Sequence, residues 1–355
     1  MAAKRVLVVG LGNMGMSHAL AYSRIDGFEV AAVCERNIAK RRLPKALATA
    51  TKFTSFDTAL AETKPDVVSI NTWSDTHADY AVKAMEAGAH VFIEKPIAET
   101  VAEAERVVAT AHRTGRKLVV GYILRHHPSW IRFIEVARTL GTPLVFRMNL
   151  NQQSSGLQWE AHKRLLQTLS PIVDCGVHYV DVWCQITRAA PVSVHAVGAR
   201  LTEDMPAGMY NYGHFEVQFA DGSVGWYEAG WGPMMSETAF FVKDVIGPKG
   251  SVSIVVQGDS VEAKSADINT HTKTNQIPIH HAALAADGSL ARSDERESTR
   301  DEPDHDQLCE REQRFLLKAI NENIDLTEHM ADAVKRLRIV LAADESVRSG
   351  EVVAL

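Results

Sequence analysis

The 355-residue sequence predicts an α/β chain of two domains, a doubly wound parallel sheet over residues 1–122 and an α+β domain over residues 123–355, whose closing helices could instead pack back on the first domain. Three observations carry this. Up to Tyr122, short apolar runs alternate with amphipathic stretches, the pattern of strands covered on both faces by crossover helices. Beyond Tyr122, longer strand-like runs follow one another with turn pairs such as Asp221-Gly222 between them, which reads as antiparallel pairing. A single core stops growing near roughly 250 to 300 residues, so a chain of this length needs two.

In the first domain the apolar runs 6–9, 30–34, 67–70, 91–93 and 118–120 are the strands. The helix expected over 101–113 shows the logic between them: Val101, Ala104, Val107, Val108 and Ala111 recur at spacings of three and four, and Gly115 stands just past the end as a cap. The second domain's strands are expected at 144–150, 192–201, 214–219, 225–228, 240–246 and 251–256. Residues 266–306 are polar, densely charged from 292, and read as exposed connection; helical patterns over 306–323 and 330–349 follow.

Composition narrows the function classes. Hydrophobic residues make up 46% and charged residues 23%, an ordinary globular balance that excludes disorder and collagen-like repeats. The net charge of -6 gives no reason to approach nucleic acid or an anionic membrane, so a small-molecule partner is expected. Cys34, Cys175, Cys184 and Cys309 are scattered without a CxxC pair, which points away from a disulfide framework or zinc finger and towards a cytoplasmic protein. No run approaches the roughly 18 apolar residues of a membrane helix, and the first residues lead straight into a strand, without a signal peptide's apolar core.

Directly after the first strand comes Gly10-Leu11-Gly12-Asn13-Met14-Gly15, opening an amphipathic helix. Glycines suit this place because the turn is tight and a pyrophosphate must approach the backbone at the helix N-terminus. Glu35 stands 20 residues beyond Gly15 at the end of the second strand, where a carboxylate accepts from ribose hydroxyls. That acid favours NAD, while Arg36, Arg41 and Arg42 directly after it keep NADP open.

Two constellations carry candidate chemistry. Glu94-Lys95-Pro96 ends a strand, and ligands of doubly wound sheets sit at carboxyl ends of strands. Pro96 also restricts the lysine's backbone. The second is the helix expected over 171–187, in which Asp174, His178, Asp181 and Gln185 share one stripe and no Lys, Arg or Glu occurs. Four polar groups on an otherwise apolar helix imply either a site or an internally paired core network. Asp174 and His178 at i, i+4 could also ligate a metal, but no third ligand has matching spacing, so no metal is expected. An ordinary imidazole is largely neutral at pH 7, so His178 suits a general base, and the Lys95 ammonium suits a developing alkoxide.

Taken in order, the glycine turn, Glu35, Asn71-Thr72-Trp73-Ser74-Asp75-Thr76-His77, Glu94-Lys95-Pro96, Gly121-Tyr122-Ile123-Leu124-Arg125 and the Asp174/His178/Asp181 helix resemble the Gfo/Idh/MocA oxidoreductases, relatives of glucose-fructose oxidoreductase and inositol dehydrogenase. The resemblance covers nearly the whole chain and is weakest over 266–305. It implies a Rossmann domain followed by an open, mostly antiparallel sheet, NAD or NADP as cofactor, and a homodimer or homotetramer. It puts Lys95 and His178 on the family's catalytic pair and Asp174 on its substrate-orienting carboxylate. Beside the cofactor it puts Gly10, Gly12, Asn13, Met14, Gly15, Glu35, Arg36, Thr72, Trp73, Ser74, His77, Glu94, Lys95 and Arg125. Substrate contacts are expected from Lys95, Trp159, His162, Asp174 and His178, and Trp159, His162, Glu228 and Trp231 are candidate pocket walls, since sugar rings stack on indole faces. Two departures edit the pocket: Trp73 stands where many members have proline, and Leu169-Ser170-Pro171 replaces a glycine-rich approach to Asp174. The function implied is a dehydrogenase acting on a secondary alcohol of a sugar, inositol or related polyol. Its rivals are a glycoside hydrolase that oxidises transiently and a non-catalytic NAD-binding sensor.

Overall fold

In the computed structural model, residues 2–237, 242–255, 265, 267–299 and 301–355 are described. The chain alternates β1 (Lys4–Val9), α1 (Asn13–Arg24), β2 (Phe28–Cys34), β3 (Thr51–Phe53), α2 (Phe56–Thr63), β4 (Val67–Ile70), α3 (His77–Glu86), β5 (His90–Ile93), α4 (Val101–Thr114) and β6 (Leu118–Val120). The six strands are parallel in the order β3-β2-β1-β4-β5-β6. Chain order reverses between β1 and β4, which opens a crevice at their carboxyl ends. The expected strands are all present. β3 is an addition, three residues long and poorly buried at the sheet's edge, too short for an apolar pattern to show. α4 starts where Thr100 accepts from the Glu103 amide at 3.2 Å and stops at Gly115, whose φ of +64° is the left-handed cap the glycine predicts.

Downstream come α5 (Pro128–Ala137), β7 (Val145–Gln153), α6 (Gly156–Leu165), α7 (Pro171–Asp174), α8 (Gly176–Thr187), β8 (Pro191–Ala199), β9 (Tyr212–Phe219), β10 (Val224–Gly232), β11 (Lys243–Gly247), β12 (Gly250–Ile254), α9 (Ile268–Thr272), β13 (Gln276–His281), β14 (Glu295–Ser298), α10 (His305–Asn321), α11 (Thr327–Ser349) and β15 (Val353–Ala354). Among the described residues one sheet forms in the order β14-β13-β12-β11-β7-β10-β9-β8-β15. Its neighbours are antiparallel except β7 and β10, which run parallel. The expected mostly antiparallel sheet is therefore present, with β7 and β10 as the parallel pair among the described residues. The chain between β7 and β10 contains three helices and the hairpin-like pair β8 and β9, long enough for the crossover a parallel pair requires. Phe146, Phe215 and Tyr227 of the sheet pack against Trp183 and Tyr179 of α8. The Trp183 ring lies so close to Gly225 that an added Cβ would stand 2.6 Å from it, so this glycine lets α8 settle onto β10.

Two sequence boundaries fall on undescribed residues: 240 and 241 of the run 240–246, and 256 of the run 251–256, lie outside the described set. The reading of 266–306 as connection is also corrected. β13 alternates buried Ile277 and Ile279 with outward Gln276, Pro278 and His280, a period-two strand concealed by polar neighbours.

The chain divides into two compact units: Met1–Ile123 with His305–Lys335, and Leu124–Asp304 with Arg336–Leu355. In the first, α10 packs on α1, and Leu316, Ala319 and Leu326 join Tyr22, Val33 and Phe92 in one core. All four cysteines are buried, and none is in a disulfide. Among the described residues, no helix is long and apolar enough to cross a membrane.

Candidate functional site

The first unit concentrates its candidates at the reversal of strand order. Gly10 continues β1, its amide donating to the Cys34 carbonyl at 2.9 Å, and its φ of +80° turns the chain towards α1. A Cβ at Gly10 would meet the Asn71 carbonyl oxygen at 2.5 Å, and one at Gly15 would meet the Gly10 carbonyl oxygen at 1.9 Å. Those two glycines are thus required by close packing. Gly12 differs: a Cβ there would have nothing within 4 Å, so the exposed turn is open at the helix start. α1 carries no acid in its first turn and no side-chain cap at Gly12, leaving the amide ends and the positive end of the helix dipole for an anion. Asn13 is exposed and Met14 half-buried on that first turn.

Glu35 lies beside this turn, its Oε2 accepting from the Leu11 amide at 3.0 Å. The bond holds the carboxylate next to the glycine loop, where a ribose diol would be met. Arg36, Arg41 and Arg42 are exposed. An open glycine turn, a bare helix N-terminus and a tethered acid fit the pyrophosphate and adenosine ribose of NAD.

The loop after β4 is braced internally. Thr72 and Thr76 hydroxyls lie 2.7 Å apart, Ser74 donates to Glu99 at 2.8 Å, and Trp73 is exposed. His77 is buried, with Nδ1 2.7 Å from the Pro96 carbonyl and Nε2 3.1 Å from the Thr72 carbonyl. Burial holds this imidazole below its ordinary range. His77 therefore sits between the Trp73 loop and the Lys95 loop; the neutral ring carries one N–H and donates to one of these two carbonyls at a time. Lys95 is half-buried at the end of β5, and its amide donates to the neighbouring Glu94 Oε2 at 3.2 Å.

Sequence reasoning missed what stands behind Glu94. His18 on α1 is fully buried, its Nε2 2.7 Å from Glu94 Oε1, and the Gln313 side-chain amide lies 2.9 Å from its Nδ1. Glu312 is buried nearby, its carboxyl pushed far upward by burial and then by Glu94. Burial, then Glu312 and Glu94, push the Cys309 thiol up as well. A signal existed: Leu308, Cys309, Glu312, Leu316 and Ala319 share one helical stripe, so an acid interrupts an apolar face.

In the second unit, the helix expected over 171–187 is two helices. Ser170 caps α7, accepting from the Val173 amide at 3.3 Å, and α8 restarts after Cys175. Asp174 and His178 are half-buried; the Cys175 thiol lies 3.6 Å from Asp174 Oδ2 and 3.5 Å from Gln152 Oε1. The stripe does not act as one. Asp181 is buried and accepts from Arg125 at 2.8 and 2.5 Å, from Arg336 at 3.3 Å and from Gln185 at 2.9 Å. For Asp181 and Gln185 the internally paired alternative holds, and Arg125 is committed to that network.

Of the candidate walls, Trp231 is fully buried, its indole N–H donating to Gln152 Oε1 at 2.8 Å. His162 stacks on it at 4.6 Å and 11°, with Nδ1 2.9 Å from the Ser154 hydroxyl. Burial pushes the His162 imidazole down to about 4. Glu228 accepts from Asn151 at 2.7 Å, and the half-buried Trp159 donates to Asp204. Lys243, which the sequence analysis passed over, is buried on β11, its side-chain nitrogen 4.5 Å from the Tyr179 ring centre and donating to the Asn149 carbonyl. Burial drives it far below the ordinary lysine range.

A doubly wound sheet with an open glycine turn at its reversal point and an acid ending β2 defines a dinucleotide-binding protein. The chain belongs to the Gfo/Idh/MocA oxidoreductase family: residues 4–122 match the family's NAD-binding Rossmann-fold domain and residues 134–253 its C-terminal domain. It is 32% identical over 200 residues, 56% of this chain and 59% of the relative, to the UDP-N-acetylglucosamine 3-dehydrogenase of Acidithiobacillus ferrooxidans. Over 181 residues, 49% of this chain and 52% of the relative, it is 26% identical to the inositol 2-dehydrogenase of Salmonella typhimurium. The chain spans little more than half the length of these curated relatives. Among solved structures, the WlbA dehydrogenase of Bordetella pertussis, in complex with NADH and UDP-GlcNAcA, superposes with a TM-score of 0.74 over 100% of this chain and 99% of that one, at 17% identity. That likeness concerns the fold.

Proposed function

We propose that this protein is an NAD-dependent dehydrogenase that oxidises a secondary alcohol of a sugar, inositol or related polyol. The observation that carries the reading is the NAD-type cradle in the same unit as Lys95 at the carboxyl end of β5, in a chain of this family. Relatives named for a nucleotide-sugar hydroxyl and for an inositol hydroxyl support the substrate class.

Gly10, Gly12 and the first turn of α1 hold the pyrophosphate, and Glu35 holds the adenosine ribose. Thr72, Trp73 and Ser74 border the cofactor. Bound nicotinamide supplies a hydride acceptor. His178 takes the proton from the substrate hydroxyl, and the Lys95 ammonium donates to the same oxygen as negative charge develops on it. Asp174 accepts from a neighbouring hydroxyl and fixes which carbon presents its hydrogen. His162 and Trp159 border the sugar.

A panel of inositols, aldoses, UDP-sugars and glycosides incubated with NAD and followed by NADH absorbance tests this. Net NADH formation with at least one sugar or polyol is expected. Release of free sugar from a glycoside without net NADH would replace the reading with a transiently oxidising hydrolase, and NAD binding with no turnover on any member would replace it with a sensor.

A further inference from the structure

Behind Lys95 lies a buried polar relay that uses no surface residue. His18 stands on α1 one turn after the glycine loop, fully buried, its ring tilted against Phe92 at 4.6 Å. The Gln313 side-chain nitrogen can only donate, so the 2.9 Å contact makes His18 Nδ1 the acceptor and leaves the ring proton on Nε2. Nε2 then donates to Glu94 Oε1 at 2.7 Å, while Glu94 Oε2 accepts from the Lys95 amide at 3.2 Å. Gly121 closes the other side, with room for a Cβ only 3.3 Å from Glu94 Oε2. Both carboxylate oxygens are thus engaged, and one of them fixes the peptide from which the Lys95 side chain leaves.

His18, Cys309 and Glu312 offer ligand atoms within 4.8 Å of one another. This trio carries no cation site, because both His18 nitrogens are already engaged by Glu94 and Gln313.

We propose that His18 is a positioning residue: through Glu94 it sets the orientation of the Lys95 backbone and hence where the lysine's ammonium is delivered. The proposal rests on the dehydrogenase reading for its catalytic consequence, but the geometry it claims is measurable without turnover. Misplacing a catalytic group by about 1 Å costs on the order of 10²-fold in rate.

The test compares His18→Ala and His18→Gln with the parent protein. Gln keeps an amide donor near the Nε2 position, whereas Ala removes it. The first readout is acetylation of Lys95 by a trace of acetic anhydride, quantified by mass spectrometry against Lys64 and Lys83. The Lys95 rate should change at least about threefold in His18→Ala, return towards the parental rate in His18→Gln, and leave both reference lysines unchanged. The second readout is kcat, expected to fall about 10²-fold in His18→Ala with KM for NAD nearly constant, and to recover in His18→Gln. Should His18→Ala fail to fold, Gln313→Leu removes the donor that sets the ring's tautomer, and a smaller change in Lys95 labelling is expected. An unchanged Lys95 rate in the folded variants overturns the proposal. A changed rate in a protein without turnover supports the positioning and sinks only the dehydrogenase reading.

Discussion

At Gly15 the side chain is excluded by geometry, since a methyl would stand 1.9 Å from the Gly10 carbonyl oxygen, a contact no rotamer relieves. Gly15→Ala should push the turn apart, weaken NAD binding by at least about tenfold and cost roughly 1 to 3 kcal/mol, read by calorimetric titration and urea unfolding. Gly12→Ala has open space and should preserve the fold. Glu35 is tethered by the Leu11 amide, so Glu35→Ala should raise the ratio of NADP to NAD affinity, measured by the same titration. These residues were legible because their spacing follows from the chemistry of a pyrophosphate and a ribose. His18 and Gln313 were not, because they lie 295 positions apart in sequence and no local pattern announces such a pair. Of the polar stripe in residues 174–185, spacing told that the residues share a face but not which would find partners. Arg125 and Arg336, which claim Asp181, come from distant segments.

At the scale of elements, the cap residues wrote α4 correctly at both ends, whereas the break at Cys175 left no mark in the apolar pattern. The parallel pairing of β7 with β10 was also invisible, because periodicity reports which face a strand buries and says nothing of its neighbour's direction. β13 was hidden for another reason: its two buried isoleucines are flanked by Gln276, Pro278 and His280. The network that ties α8 to Arg125 and to α11 makes its own prediction. Asp181→Asn keeps the volume but leaves two arginines facing a neutral amide, and should lower stability by about 3 kcal/mol, read by urea unfolding. Loss of that size would show that Asp181 is structural.

For the molecule as a whole, buried histidines set the acid limit. His162 and His90 are each held down to about 4, by burial first and, for His90, by the Arg116, Lys4 and Lys117 charges after it. Unfolding frees such a ring to bind a proton at its ordinary value near 6.5, so the unfolded chain takes up more protons between the two values. Stability is therefore full above about 6.5 and falls as pH drops towards about 4, His162 contributing on the order of 3 kcal/mol. Urea midpoints measured at pH 7 and pH 4.5 check this, and His162→Gln should flatten the difference. Two-domain organisation and cofactor class follow from alternation and motif, both properties of the chain alone. Substrate choice is not written in those patterns, because it depends on side chains contributed by strands and helices whose arrangement appears only in three dimensions.

His178 and Lys95 are proposed to perform proton transfer and alkoxide stabilisation on one substrate oxygen. The most direct measurement is NADH formation at saturating NAD by the parent protein, His178→Asn and Lys95→Ala, on the best alcohol of the panel, with NAD affinity measured alongside. Each variant should lose at least about 10²-fold in turnover while binding NAD as the parent does. Near-parental turnover in either variant would contradict the role given to that residue.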